Sequence, residues 1–86
     1  MLKVYYKPTF IRQFKRMPLN LQEEIRGKIA IFQTDQFHPF LKTHKLKGSL
    51  KNCYSFYVNY KYRIVFEYES KDEVVLLAVG DHSIYD

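Results

Sequence analysis

Several residue types are scarce in this chain. It contains a single cysteine, Cys53, no tryptophan, three glycines and three prolines. A lone cysteine excludes an internal disulfide and a zinc site built from several cysteines, and we expect Cys53 to be a small buried residue rather than a nucleophile. The three histidines have no acidic or cysteine partners at ligand spacing, so we expect no metal ion and no cofactor.

Long apolar runs are absent as well. A membrane-spanning helix needs about 20 consecutive apolar residues, and no run in this sequence approaches that length. The opening string Met-Leu-Lys-Val-Tyr-Tyr-Lys is typical of a strand and lacks the apolar stretch and cleavage site of a signal peptide. We therefore expect a cytoplasmic protein that does not enter a membrane.

The chain is short and basic. With 86 residues it is expected to form one domain, residues 1–86, around one modest core. Fourteen lysines and arginines against nine aspartates and glutamates give a net charge of +5 at neutral pH, and after residue 64 only Lys71 adds to the positive side. This charge favours an anionic partner, such as nucleic acid, the ribosome, an acidic protein or a membrane surface, and does not choose among them.

The first half of the sequence predicts one strand and two helices. Residues 2–6 favour β-structure, and Pro8 suits the first turn of a helix that Pro18 ends. Asn20 and Glu23 have the spacing of a capping box at the start of the second helix. The apolar face of that helix consists of Leu21, Ile25, Ile29 and Phe32.

Gly27 interrupts the second helix. A glycine inside a helix lowers its stability by about 1 kcal/mol relative to alanine. Two interpretations stay open: Gly27 lets the two helices approach closely, or it is a tolerated defect.

The second half predicts three strands, over residues 54–58, 62–68 and 73–79. Side chains alternate along the first two, and the third is apolar on both faces, which is typical of an interior strand. The predicted fold is α+β with the order β-α-α-β-β-β, in which a helical hairpin packs on one face of a small, mainly antiparallel twisted sheet. The other face is expected to stay partly open, with Arg63 and Tyr57 pointing into it.

Three ordered segments carry a resemblance to a known family. They are His44-Lys-Leu-Lys-Gly-Ser-Leu-Lys51, Tyr62-Arg-Ile-Val-Phe66 and Val79-Gly-Asp-His-Ser-Ile-Tyr85. Together with the element order they make the chain resemble the RelE/ParE superfamily of bacterial type II toxins over essentially its whole length, and the first segment is most similar to the YafQ branch. The resemblance implies a metal-independent, ribosome-dependent mRNA endoribonuclease that inhibits translation. A cognate antitoxin would neutralise it, and operator DNA would be bound only through the antitoxin complex.

The resemblance also implies roles for individual residues. His44 and His82 match histidines that the YafQ-like branch uses for catalysis, and we interpret them as the acid–base pair without assigning which is which. Arg63 matches an arginine that contacts phosphate in RelE-like enzymes, and Tyr85 resembles their C-terminal tyrosine, a hydroxyl donor or stacking surface. Tyr57 could orient the 2′-hydroxyl or a base. The lysines expected to contact the RNA backbone are Lys45, Lys47, Lys51 and Lys61.

Several departures from the family pattern keep other activities open. Tyr57 stands where the YafQ-like branch has a further catalytic histidine, and Lys61 stands where it has an acidic residue. The Arg-x-Arg pair of many RelE-like strands would fall at Ser55 and Tyr57, so those cations are missing. ParE-like members share the fold but inhibit DNA gyrase without nuclease activity, and a degenerate toxin would only bind its antitoxin or operator DNA. Arg63, for its part, could form an ion pair with Glu67 on the same strand face.

Overall fold

The computed structural model describes residues 1–85, and Tyr85 is described by its backbone alone. The helices and strands are β1 (Lys3–Tyr6), α1 (Pro8–Lys15), α2 (Leu19–Thr34), β2 (His44–Lys45), β3 (Tyr54–Tyr57), β4 (Arg63–Ser70) and β5 (Glu73–Gly80). Short 3₁₀ turns lie at Pro39–Leu41, Gly48–Leu50 and His82–Tyr85. Within the described residues, neither helix has the length and apolar character needed to cross a membrane.

The strands form one mixed sheet in the order β1-β5-β4-β3-β2. β1 runs parallel to β5, and the other neighbouring strands pair antiparallel. The predicted α+β fold and its mainly antiparallel sheet are confirmed. The structure adds β2, an edge strand of 2 residues, which is too short to show the alternation that identifies a strand in a sequence.

The helices pack on one face of this sheet. The buried residues of α2 are those of the predicted apolar face, Leu21, Ile25, Ile29 and Phe32. Phe32 stacks on Phe56 of β3 with ring centroids 4.4 Å apart, and it meets Phe66 of β4 edge-on at 4.8 Å. Because successive strand residues point to opposite faces, this aromatic layer directs Tyr57 and Arg63 away from the helices.

The start of α2 differs from the prediction. The helix begins at Leu19 with Pro18 at its N-cap, and no side chain caps it. The amide of Gln22 donates to the Pro18 carbonyl at 2.9 Å, and the Gln22 side chain donates to the Met17 carbonyl, also at 2.9 Å. The capping box at Asn20 is therefore wrong. Pro18 already has a helix-compatible φ of −58°, so the helix starts directly after it and Asn20 lies inside the first turn.

Gly27 lies on the exposed side of α2, and a methyl group there would meet no atom within 4 Å. The interpretation as a site of close helix approach is wrong, and the tolerated defect remains. We expect Gly27→Ala to stabilise the protein by about 1 kcal/mol and to raise its melting temperature by roughly 4–8 °C, because alanine favours the helix and restricts the unfolded chain. Thermal unfolding followed by circular dichroism measures the shift.

Gly80→Ala is the matched contrast for this experiment. A methyl group at Gly80 would lie 2.5 Å from Cγ2 of Ile84, closer than real contacts allow, so the melting temperature should fall. A lower melting temperature for Gly27→Ala as well would contradict the assignment of Gly27 as a position with open space around it.

The face opposite the helices is buried at its centre. Ser55 of β3, Arg63 and Val65 of β4 and Val75 of β5 are all buried. The final 3₁₀ turn packs against β5, where it brings Ile84 next to Gly80. Arg63 and Tyr57 point to this face as expected, but the face is closed at its centre, where the last turn packs beside Gly80 and Arg63 is itself buried.

Candidate functional site

Strand register brings three of the predicted site residues to one end of the sheet. Tyr57 of β3 pairs with Arg63 of β4, and Arg63 pairs with Gly80 of β5. His44 of β2 pairs with Ser55, two residues before Tyr57. Since paired residues point to the same face, His44, Tyr57 and Arg63 share the face opposite the helices. The turn that carries the exposed His82 begins just after Gly80.

The ring of Tyr57 is the common contact of this cluster. The guanidinium carbon of Arg63 lies 3.5 Å from the ring centroid, and Nζ of Lys42 lies 5.3 Å from it. The ring of His44 approaches edge-on with its centroid 6.5 Å away. Cations over an aromatic face are attracted by its quadrupole, typically by about 0.5–2 kcal/mol each. Tyr57 thus gathers two cations and a histidine around one ring.

Arg63 is held by main-chain groups. Its side chain is only 4% exposed, and Nη1 donates to the carbonyl oxygens of Asn59 at 2.7 Å and Tyr62 at 3.1 Å. These carbonyls take the place of the ion pair with Glu67 that the strand spacing allows. Asn59 also closes the β3–β4 hairpin, because its Oδ1 accepts from the amides of Lys61 at 2.9 Å and Tyr62 at 2.8 Å. Arg63 therefore joins the hairpin to the Tyr57 ring.

The orientation of His44 follows from its hydrogen bond. Nδ1 lies 2.8 Å from the carbonyl oxygen of Lys42. A carbonyl can only accept, so Nδ1 must carry the hydrogen, and in the neutral ring the proton-accepting lone pair is then on Nε2. Lys42 supplies this carbonyl from the left-handed backbone region, with φ of 49°. The local backbone thus selects the His44 tautomer that can act as a base through Nε2.

The turn that carries His82 is organised by Asp81. One carboxylate oxygen of Asp81 accepts from the hydroxyl of Ser83 at 2.7 Å and from its amide at 3.0 Å. These hydrogen bonds lower the pKa of Asp81 below its ordinary value, and the positive charges of Lys61 and His82 lower it further. Lys61 therefore lies close enough to this turn to act on it electrostatically.

We expect Asp81→Asn to loosen the His82 turn in a pH-dependent way. Because the folded-state pKa of Asp81 is lowered, its contribution to stability is fully present above the ordinary value of 3.8 and is lost as the pH falls through the lower folded value. The melting temperature of Asp81→Asn should accordingly lie below that of wild type at neutral pH and converge with it in strong acid. Asp72→Asn, at an exposed turn, removes the same charge elsewhere. An equal pH profile for both variants would contradict the role of Asp81.

The predicted lysines are placed differently, and Lys47 and Lys51 follow β2 at the Tyr54 end of β3 rather than at the Tyr57 end. Lys45 follows His44 in β2 and pairs with Tyr54. Because neighbouring strand residues alternate, its Cβ points to the helix-covered face and not to the face of His44. Lys47 and Lys51 flank the 3₁₀ turn at Gly48–Leu50 and are exposed. Lys61 is exposed on the hairpin, with Nζ 5.4 Å from the Tyr62 ring centroid. The roles of these lysines in RNA binding stay predictions.

The remaining predicted groups are placed more simply. The side chain of Tyr85 lies outside the described residues. Cys53 is buried as expected, and burial, with a smaller contribution from the charge of Glu67, raises the pKa of its thiol and disfavours the nucleophilic thiolate. Among the described side chains, no group of three or more His, Cys, Asp and Glu could hold a metal ion. Lys42 was not predicted as a site residue, because a lysine before a short edge strand carries no signal of its own.

Comparisons with known proteins give matches among solved structures. No protein-family model matches this chain, and neither does any curated protein sequence. A copper-bound mutant toxin from Helicobacter pylori superposes with a TM-score of 0.80 and 26% identity over 100% of both chains. YafQ from Escherichia coli superposes with a TM-score of 0.79 and 11% identity, covering 99% of this chain and 98% of YafQ.

A third similar structure contains a partner protein. It is the YoeB–YefM complex from Staphylococcus aureus, whose matched chain has a TM-score of 0.75 and 17% identity, covering 95% of this chain and 98% of that chain. A related structure of the same pair is described as a heterotetrameric toxin–antitoxin complex. The resemblance to the RelE/ParE superfamily is thereby confirmed at the level of the fold, and YafQ is among the similar structures.

Proposed function

We propose that this chain, which has the RelE-like fold, is the toxin of a bacterial type II toxin–antitoxin system and cleaves mRNA on the ribosome without a metal ion. The observation that carries the proposal is the cluster around the Tyr57 ring. There, His44 and the cations Lys42 and Arg63 surround one ring, and Nε2 of His44 is the nitrogen that can accept a proton. The 26% identity with the Helicobacter pylori toxin over both full chains supports the same function.

The proposed reaction uses the RNA's own 2′-hydroxyl as the nucleophile. Nε2 of His44 takes the 2′-hydroxyl proton while the oxygen attacks the adjacent phosphorus, and the bond from phosphorus to the 5′ oxygen breaks. His82 gives a proton to that departing oxygen, so the products are a 2′,3′-cyclic phosphate and a 5′-hydroxyl end. Each acid–base group typically contributes about 10²–10⁴-fold to the rate.

The negative charge that develops on the phosphate needs cations nearby. Lys42 is the exposed cation next to Tyr57, and Lys61 lies near the His82 turn. Arg63 uses Nη1 for the hairpin carbonyls, which leaves Nε and Nη2 outside those two bonds. We assign Arg63 mainly to positioning, since it fixes the Tyr57 ring against which the scissile nucleotide would be held, and its remaining N–H groups add positive potential.

The proposal includes the partners of such a toxin. Ribosome and mRNA are the substrate assembly, and a cognate antitoxin would cover the end of the sheet that carries His44 and His82. The YoeB–YefM complexes support an antitoxin partner, and operator DNA would be contacted only through that complex. The site of action is the cytoplasm, where the ribosomes are.

Pulse expression of the protein with mapping of new mRNA 5′ ends tests the proposal. We expect growth arrest together with new ends inside translated regions, at positions that follow the reading frame. The same mRNA carrying a mutated start codon should stay intact, because it is not translated. Growth arrest with intact mRNA would overturn the nuclease proposal.

One observation favours a second candidate function. Ser55 is fully buried and Tyr57 is uncharged, so the strand positions that carry arginines in many RelE-like toxins present no cation here. A gyrase-inhibiting toxin of the ParE type needs no such cations. It would arrest growth with induction of the DNA-damage response and intact mRNA. A chain that arrests nothing but still binds its antitoxin would be a degenerate toxin.

A further inference from the structure

A second concave surface adjoins the cluster around Tyr57. It is a cavity of about 400 Å³ between α2, the 3₁₀ turn at Pro39–Leu41 and the β3–β4 hairpin. Lys42 and Tyr57 line this cavity and belong to the cluster as well. The cavity lies on the helix side and the cluster on the other face of the sheet, and because they share Lys42 and Tyr57, a nucleotide in the cavity would neighbour one held at the cluster.

Two aromatic side chains of this cavity are unusually exposed. Phe40 is 72% exposed and Tyr60 is 87% exposed, and each comes from a different segment. Their backbones are nevertheless held. The amide of Phe40 donates to Nδ1 of His38 at 3.1 Å, and Asn59, next to Tyr60, donates from Nδ2 to a carboxylate oxygen of Glu24 at 2.8 Å. Flat apolar rings are thus presented to solvent from fixed positions.

The charges of the cavity indicate what the rings could contact. Lys28 and Lys42 line it beside the two rings and bring positive charge. A flat ring would stack on these aromatic side chains, and an anionic group joined to it would be attracted by the lysines. A nucleotide has both, in its base and its phosphate. A cavity of about 400 Å³ falls within the range of ordinary small-ligand sites, about 300–1,000 Å³.

We propose that this cavity binds a nucleotide adjacent to the scissile phosphate, with its base stacked on Phe40 or Tyr60 and its phosphate near Lys42. The proposal rests on the proposed function and adds to it the source of base preference. Stacking alone accepts any base. Glu24 also lines the cavity; Asn59 occupies one of its carboxylate oxygens, and the other can distinguish base edges by accepting a hydrogen bond.

The test measures cleavage in a translation reaction reconstituted with ribosomes and a reporter mRNA. The initial rate of formation of new 5′ ends and the base composition around the cuts are compared for wild type, Phe40→Ala and Tyr60→Ala. Phe37→Ala is the matched control, since Phe37 is 64% exposed in the same loop but does not line the cavity. Circular dichroism verifies that all variants are folded.

We expect Phe40→Ala, Tyr60→Ala or both to cut about 5- to 150-fold more slowly, the range that loss of one base–aromatic stack of about 1–3 kcal/mol produces. The base preference at one position beside the cut should be lost, while Phe37→Ala cuts like wild type. Wild-type rates and an unchanged base profile in both alanine variants would overturn the inference and leave the rings as a protein-binding surface. A wild-type protein that makes no cuts would instead overturn the proposed function, and the inference with it.

Discussion

The His82→Ala variant is expected to cleave ribosome-bound mRNA about 10²–10⁴-fold more slowly than wild type, because it removes the proposed acid for the departing 5′ oxygen. The side chain is exposed and sits on a turn that Asp81 and Ser83 organise. Loss of the imidazole should therefore leave the fold intact. The rate at which new 5′ ends form is measured in the reconstituted reaction at several pH values. It gives the loss of cleavage rate and shows which limb of the pH profile disappears.

A matched set of variants separates chemistry from charge. Lys71→Ala removes a positive charge from the exposed turn between β4 and β5, at the opposite end of the strands from His82, and should cut normally. His44→Gln should lose a similar factor to His82→Ala and the opposite limb of the pH profile, because it removes the proposed base. If His82→Ala cut at the wild-type rate while Lys71→Ala did not, the reaction would depend on overall positive charge, and the acid–base assignment would be wrong.

The elements that the sequence predicts correctly are those with a repeating pattern of apolar side chains. The α2 face and the alternation in β3 and β4 repeat over many residues, so local pattern was enough to predict the elements and the side of the sheet to which Tyr57 and Arg63 point. The start of α2 depends on a few main-chain bonds around Pro18, and β2 has only 2 residues. Neither leaves a repeating pattern, and both were missed.

The candidate site shows the same limit. The resemblance placed His44, Tyr57 and Arg63 in one functional set, and register brings them to one sheet end. The burial of Arg63 was not predicted, because its partners are the carbonyl oxygens of Asn59 and Tyr62, and every residue has a carbonyl whatever its type. An arginine that pairs with a carboxylate can be recognised from the acidic residue at a matching position in the sequence. An arginine that bonds to main-chain carbonyls has no such partner residue to recognise.

The burial of Arg63 leads to the second prediction with a large effect. Arg63→Met keeps much of the apolar stem but removes the donors to both hairpin carbonyls and the cation beneath Tyr57. We expect it to destabilise the protein by about 2–4 kcal/mol, since the Asn59 carbonyl left without its donor costs about 1–3 kcal/mol and the lost cation–π contact adds about 0.5–2 kcal/mol. The Tyr62 carbonyl keeps the amide of Val58 at 3.0 Å. For a domain of this size the melting temperature should fall by roughly 10–25 °C. Thermal and urea unfolding measure both quantities.

The control for this prediction is Arg12→Ala. Arg12 is exposed on α1, and within the described part of the chain its hydrogen bond is to the hydroxyl of Thr9 at 3.2 Å, so its removal should change stability by less than about 0.5 kcal/mol. Arg63→Met should also lose cleavage, measured well below its melting temperature, because Tyr57 and the hairpin are no longer held. If Arg63→Met melted like wild type and still lost cleavage, the guanidinium would act on the phosphate alone. Loss of both together indicates that Arg63 acts through the framework that it holds, and that fold stability and cleavage at this end of the sheet depend on the same side chain.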